Sequence, residues 1–281
     1  SAQIFQSTMD RIFADLSEFV LVYIDDLLVF APDIETLIER FQAVLQLLAR
    51  NNIKINAQKS VVAAQVVDYL GFKVGGGKLW SDPAKVQSIR NMKKPQNLHE
   101  LRSFLGAIGF LQRFIKNRSL ICGPLYDLTH KGKPFVWTEE HDKAFEDVKK
   151  ALIECTELAL PDNDRSVPYY MFTDASSIGC AAILVQKERV VAYASQKNNI
   201  HQSRYSATEL EALAMFFGMR TFRPIIHGHK VIIVTDHFAL TQIKLEAVKG
   251  DHRYARWLSK MAEHDYEVRY QRGINMQAPD F

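Results

Sequence analysis

The chain has 281 residues, 47% hydrophobic and 24% charged, enough for two or three packed cores, which excludes a disordered, collagen-like or low-complexity protein. Its three cysteines, Cys122, Cys155 and Cys180, lack CxxC or histidine spacing, and no apolar run nears the roughly 20 residues that span a bilayer, so a disulfide framework, a zinc site and a membrane partner are not expected. The net charge of +3 is segregated: Lys78 to Lys133 holds eleven Lys or Arg against three acids, so this stretch is +8 and the remainder −5.

Ile4 to Leu16 repeats at helical spacing. Phe19 to Phe30 reads FVLVYIDDLLVF, two apolar runs around Asp25 and Asp26. A hairpin of buried strands with the Asp pair at its turn is expected, since Asp tolerates turn dihedrals and an isolated carboxylate pair inside a strand is costly. Ile34 to Leu48 predicts a helix stopped by Asn51 and Asn52, followed by short strands from Ile53 to Phe72 and a turn at Gly75 to Gly77. Asp82 and Pro83 open a helix through Met92, and Asn97 with Glu100 resembles a capping box for a helix over Leu98 to Ile115. A third helix is expected from about Glu139 to Ile153, then a linker from Pro161 to Pro168.

From Tyr169 the rhythm changes to strands: YYMFTD, CAAILV and VVAYAS. Ser206 with Glu209 opens a helix through Phe222; VIIVTD, two helical patterns and the alternating YEVRY follow. The order βββαβααβ predicts a mixed sheet with helices rather than a doubly wound one. The class is α/β, of the α+β multidomain kind.

Two of these strands end in carboxylates, Asp174 and Asp236, and the helix between them offers Glu209 or Glu211. Any single Thr-Asp pair most often merely caps the next element. Three acids that can converge repel one another unless cations neutralise them, and two divalent ions clamping the oxygens of a phosphoryl displacement are the standard solution. All-oxygen ligation favours magnesium, with manganese possible, over zinc. Positions two apart on a helix point about 200° apart, so only one glutamate faces inward; Glu209 serves the capping box, which leaves Glu211.

The ordered set FTDAS, ATELEALA, VTDH and GINMQAPD resembles the ribonuclease H domain of LTR retrotransposon polyproteins, with Asp174, Glu211, Asp236 and Asp280 at the family's four metal-binding acids. Upstream, SAQIFQSTMDRIF resembles the segment before the reverse transcriptase active-site hairpin, YIDD that hairpin, and YLGF its primer-contacting strand at Tyr69, Leu70 and Gly71. ELRSFLGAIGFLQRFI, PLYDL and FVWTEEHDKAF resemble the thumb and connection of the gypsy-like branch. The resemblance implies a partial palm over 1–90, thumb and connection over 91–164, and a ribonuclease H-like domain over 165–281. It implies Asp25 and Asp26 as catalytic metal ligands with two magnesium ions per site. It also implies Lys93, Lys94, Arg102, Arg113, Lys116 and Arg118 along the backbone of a template-primer duplex or RNA:DNA hybrid, although for each basic residue alone a solvated surface is the commoner outcome. In that family the polymerase site takes a third carboxylate from an earlier strand, so polymerisation is expected only with an upstream segment. The expected activity is ribonuclease H hydrolysis of RNA in hybrids, in a cytoplasmic virus-like particle; the rival is a non-catalytic nucleic-acid-binding remnant.

Overall fold

The computed structural model describes residues 2–154, 157–242 and 252–272, and the chain divides into two compact units, 1–76 and 77–281. In the first, helix α1 (Ala2–Ile12) precedes an antiparallel hairpin of β1 (Val20–Tyr23) and β2 (Asp26–Val29), then α2 (Ile34–Arg50) and a second hairpin, β3 (Val66–Tyr69) and β4 (Phe72–Gly75). Asp33 caps α2 by accepting the Thr36 N–H at 2.8 Å, where its short carboxylate satisfies a donor that the first helical turn leaves without a partner. Met9 and Phe13, Val20, and Val44 and Leu48 form the core of this unit, so both helices pack on the β1–β2 ribbon.

Two expectations need correction here. Strands do not begin at Ile53: residues 54–65 carry none, and Val61 and Val62 are exposed. The β-branched run has the propensity, but a strand exists only as part of a ladder, and among the described residues none pairs with this stretch. YLGF is a turn rather than a strand. Tyr69 and Phe72 face each other across Leu70 and Gly71, whose φ values of +50° and +80° close a two-residue loop.

The second unit begins with β5 (Lys78–Ser81), which pairs with β6 (Glu157–Ala159). Between them lie α3 (Pro83–Arg90), α4 (Leu98–Phe110), α5 (Arg118–Ile121), α6 (Gly123–Asp127) and α7 (Glu139–Glu154). Asp82 and Asn97 cap α3 and α4 through the Ala84 and Glu100 N–H groups. The helix expected through Ile115 stops at Phe110 and tightens into a 3-10 turn over Gln112–Phe114. Leu111, Phe114 and Ile115 are thereby all buried.

Next come β7 (Tyr169–Ala175), β8 (Gly179–Gln186), β9 (Arg189–Lys197), α8 (Ala207–Ile226), β10 (Val231–Thr235), α9 (His252–Met261) and β11 (Tyr266–Tyr270). The sheet order is β11-β10-β7-β8-β9, with β7–β8–β9 antiparallel and β10 parallel to both neighbours. This is the expected mixed sheet; over the described residues the first helical pattern after β10 is a 3-10 turn at Phe238–Gln242. α8 runs past Phe222 to Ile226 although Pro224, in its last turn, has no N–H to give the Arg220 carbonyl.

The outer strand β9 is covered by α5. Ser119 donates its N–H to Ser195 Oγ at 2.8 Å and its hydroxyl to the Ser195 carbonyl at 2.7 Å, the second of which occupies a backbone carbonyl that an edge strand would otherwise expose. The backbone approaches so closely that a Cβ on Gly179 would lie 2.4 Å from the Gln196 carbonyl oxygen and 2.6 Å from Leu120 Cδ2. Gly179→Ala should therefore destabilise by about 1 to 3 kcal/mol through overpacking. Gly106→Ala, in α4 with nothing within 4 Å of its Cβ, should stabilise by up to about 1 kcal/mol through helix propensity. Denaturant unfolding of the two variants checks the opposite signs.

Candidate active site

The two Thr-Asp pairs sit on adjacent parallel strands in register. Val234 lies opposite Phe172, so continuing the ladder sets Thr235 level with Thr173 and Asp236 level with Asp174. Strand alternation turns both threonines inward, where they are buried, and leaves both aspartates exposed. Neighbouring strands lie about 4.8 Å apart, which gives two like charges side by side.

Helix α8 crosses this end of the sheet and supplies the third acid. Ser206 and Glu209 form a complete capping box, the Ser206 N–H donating to Glu209 Oε2 at 2.8 Å and the Glu209 N–H to Ser206 Oγ at 3.3 Å. Glu211 is only 8% exposed. Burial above all, then the charges of Asp236 and Asp174, push its carboxyl up to about 7, against a single lowering contact from the Ala175 N–H. Its Oε2 is buried without a hydrogen-bond partner, as is the hydroxyl of Thr173 just before Asp174.

Among the described residues no group of three or more His, Cys, Asp or Glu side chains is assembled that could hold a metal ion as placed. The chemistry of the donor set nevertheless fits a hard divalent cation. It consists of carboxylate oxygens alone, one of them buried and unpartnered, around a charge repulsion that a cation relieves. Asp280 lies outside the described residues.

Two contacts beside these acids are not readable from the sequence motifs. The His237 ring reaches Thr208 of α8, with Nε2 and Oγ1 2.8 Å apart. Phe238 and Tyr270 stand edge to face at 5.6 Å while 62% and 46% exposed.

In the first unit the hairpin turn is Ile24 and Asp25, whereas Asp26, expected in the turn, opens β2 opposite Tyr23, and the strands expected to be buried leave Leu21 and Tyr23 exposed. Ile24 holds φ at +50°, a region that a β-branched residue rarely adopts. Gln6 of α1 offsets that strain: its Oε1 accepts the Ile24 N–H, and its Nε2 donates to the Val22 carbonyl at 3.2 Å and to Asp10 at 2.7 Å. Nothing in the pattern of α1 marks Gln6, because the contact exists only once helix and hairpin meet. Tyr69 comes to the same hairpin: burial, with the charges of Asp26 and Tyr23, pushes its phenol pKa up. Leu70 and Gly71 project from the turn beside it, and Leu70 is exposed. Positive φ in a hairpin turn is not by itself a functional mark in this chain, since Lys187 and Glu188 between β8 and β9 share it.

The basic residues of the second unit divide by surroundings. Lys93, Arg102 and Lys116 are exposed. Lys94 pairs with Asp142 at 2.9 Å, over the Trp137 ring, and Arg118 donates to Tyr126 and Gln112. Arg113 lies in the 3-10 turn after α4. Lys94 and Arg118 are thus engaged within the fold.

Residues 1–74 match the reverse transcriptase (RNA-dependent DNA polymerase) family, and residues 164–264 match the RNase H-like domain found in reverse transcriptase. The retrovirus-related Pol polyprotein from transposon opus of Drosophila melanogaster is 30% identical over 96% of the chain. The Gag-Pol polyprotein of gibbon ape leukemia virus is 32% identical over 78% of it. The chain belongs to the reverse transcriptase and RNase H region of retroelement Pol polyproteins. This Pol segment spans 28% and 13% of those two relatives. A structure of the foamy viral protease-reverse transcriptase in complex with RNA/DNA hybrid shares the fold. Its TM-score is 0.81 at 22% identity, covering 96% of this chain and 38% of that one.

The raised carboxyl of Glu211 sets a pH dependence. In the metal-free Pol segment a group raised from 4.5 to about 7 favours the folded state fully below pH 4.5. That contribution is lost as pH rises through about 7, a change of about 3 kcal/mol. Glu211→Gln should flatten this loss. Unfolding midpoints from pH 5 to 8.5 check it, and an identical slope in the variant would assign the dependence elsewhere.

Proposed function

We propose that this Pol segment hydrolyses the RNA strand of RNA:DNA hybrids with magnesium, manganese substituting, at Asp174, Glu211 and Asp236, with Asp280 as a fourth ligand. One observation carries the reading: a buried glutamate with an unpartnered oxygen faces two strand-end aspartates set level by a parallel ladder. Two bound divalent ions would supply an activated water and stabilise the departing 3′ oxygen. The chain's own part is to hold the donors. β7 and β10 set the aspartates at one height, α8 lowers Glu211 between them, and the Ala175 N–H orients its carboxylate. The exposed aspartates stay open to a phosphodiester, while the apolar surroundings of Glu211 keep water from screening its charge.

Asp25 and Asp26 are read as two carboxylates of an RNA-directed DNA polymerase site that draws a third from an upstream segment. Lys93, Arg102 and Lys116 are read as the residues that track a template-primer duplex, with Leu70 and Gly71 near the primer. Support for nucleic-acid duplexes as partners comes from the foamy viral enzyme, described in complex with RNA/DNA hybrid. The Drosophila relative fits a gypsy-like element, and the proposed setting is a cytoplasmic virus-like particle. The competing reading is a nucleic-acid-binding remnant without catalysis.

Cleavage of labelled RNA paired to DNA, with duplex DNA as control, separates the two. Asp174→Asn, Glu211→Gln and Asp236→Asn should each lower cleavage by orders of magnitude, since a misplaced metal forfeits several kcal/mol of transition-state stabilisation. Glu209→Ala removes a cap, costing about 0.5 to 2 kcal/mol of stability with chemistry kept in the folded fraction. Cleavage lost with Glu209 and kept with Glu211 reverses the helix assignment, and no magnesium-dependent cleavage by the unmodified chain leaves the remnant.

Hybrid affinity should also fall steeply as salt rises, and replacing Lys93, Arg102 and Lys116 with Ala should flatten that slope by about one counterion per lost phosphate contact. Lys94, tied to Asp142, should contribute less. Binding isotherms at several salt concentrations read the slope, and no change in the triple variant removes this face from the binding surface.

A further inference from the structure

We infer that Thr208 and His237 form a positioning pair that sets the distance between Glu211 and Asp236; the inference rests on the two-metal reading above. Helix α8 rests chiefly on β7 and β8 and only lightly on β10. The separation of Glu211 from Asp174 on β7 is therefore fixed by packing and by the Ala175 N–H. The ladder sets the height of Asp236 but not its distance from α8. Asp236 is exposed, one residue beyond the end of β10, and that distance depends on the turn that follows.

That turn is anchored twice. The His237 N–H donates to Thr235 Oγ1 at 3.1 Å, and Thr235 is fully buried. The ring then reaches across to α8, with Nε2 2.8 Å from Thr208 Oγ1. Leu240, itself buried, donates its N–H to the His237 carbonyl at 3.0 Å, so the ring leaves a fixed backbone. Thr208 lies three residues before Glu211, on the same side of the helix. One side-chain hydrogen bond thus joins the helix that carries the buried acid to the turn that carries the exposed one. Groups that orient ligands in this way typically change metal affinity or activity 10- to 100-fold when removed.

The test is a double-mutant cycle on the 281-residue protein, read by calorimetric titration with manganese. Thr208→Val and His237→Phe keep shape and remove the bond. Each should weaken manganese binding about tenfold, and the double variant should be no weaker than either. Thr208→Ser should bind as the unmodified chain does. Unchanged affinity in both single variants, or losses that add in the double, overturns the pair.

Manganese binding that ignores Glu211→Gln overturns the two-metal reading instead. In that case hydrogen exchange of the metal-free protein still decides the pair. The amides of residues 237–240 should exchange faster in Thr208→Val and in His237→Phe at an unchanged unfolding midpoint, and exchange that stays the same overturns it.

Discussion

The parallel pairing of β7 with β10 is the constraint on which the rest of the ribonuclease H-like end depends. A parallel ladder keeps equivalent residues level, so Phe172 opposite Val234 carries Asp174 and Asp236 to the same height at adjacent strand ends. Alternation does the rest, burying Thr173 and Thr235 beneath them. A slip of β10 by one residue would bury Asp236, expose Thr235 and take Asp236 off the level of Asp174. The crossover to a parallel strand needs a long connection, usually a helix, and α8 fills that role, so the feature that levels the aspartates also delivers Glu211.

That arrangement is electrostatically unfavourable in the absence of a counter-ion. Glu211 is raised by burial first and by its two neighbours second, and one of its oxygens has no partner. Buried polar groups are satisfied in most folds, so an unpaired oxygen facing two carboxylates is a local conflict of the kind that marks functional sites. The β1–β2 hairpin carries the same signature in another form. Ile24 is held at positive φ and its N–H is met by Gln6, so the strain of the turn is balanced by a helix that has no sequence continuity with it.

Elsewhere the second unit spends its polar groups on cohesion. Ser119 on Ser195, and Lys197 on Asp127 at 2.7 Å, join the short helices to the outer strand of the sheet. The basic stretch is accordingly not one uniform arm: Lys94 and Arg118 are drawn into contacts within the fold, while Lys93, Arg102 and Lys116 remain exposed.

Local chemistry was legible without coordinates. The caps at Asp82, Asn97 and Ser206, Asp25 in a hairpin turn, the order of the strands from Tyr169 onward, and the division of labour between Glu209 and Glu211 all follow from side-chain reach and from periods of 2 and 3.6 residues. What tertiary structure alone decided concerns partners distant in sequence. Val61 and Val62 have strand propensity and no ladder, and YLGF became a turn because Tyr69 and Phe72 pair with each other. Gln6 meets Ile24, and Thr208 meets His237. Composition and periodicity encode which face a residue presents, but not which of many faces it will meet. That choice belongs to the packing of the whole unit, where the level of two aspartates and the burial of one glutamate are set together.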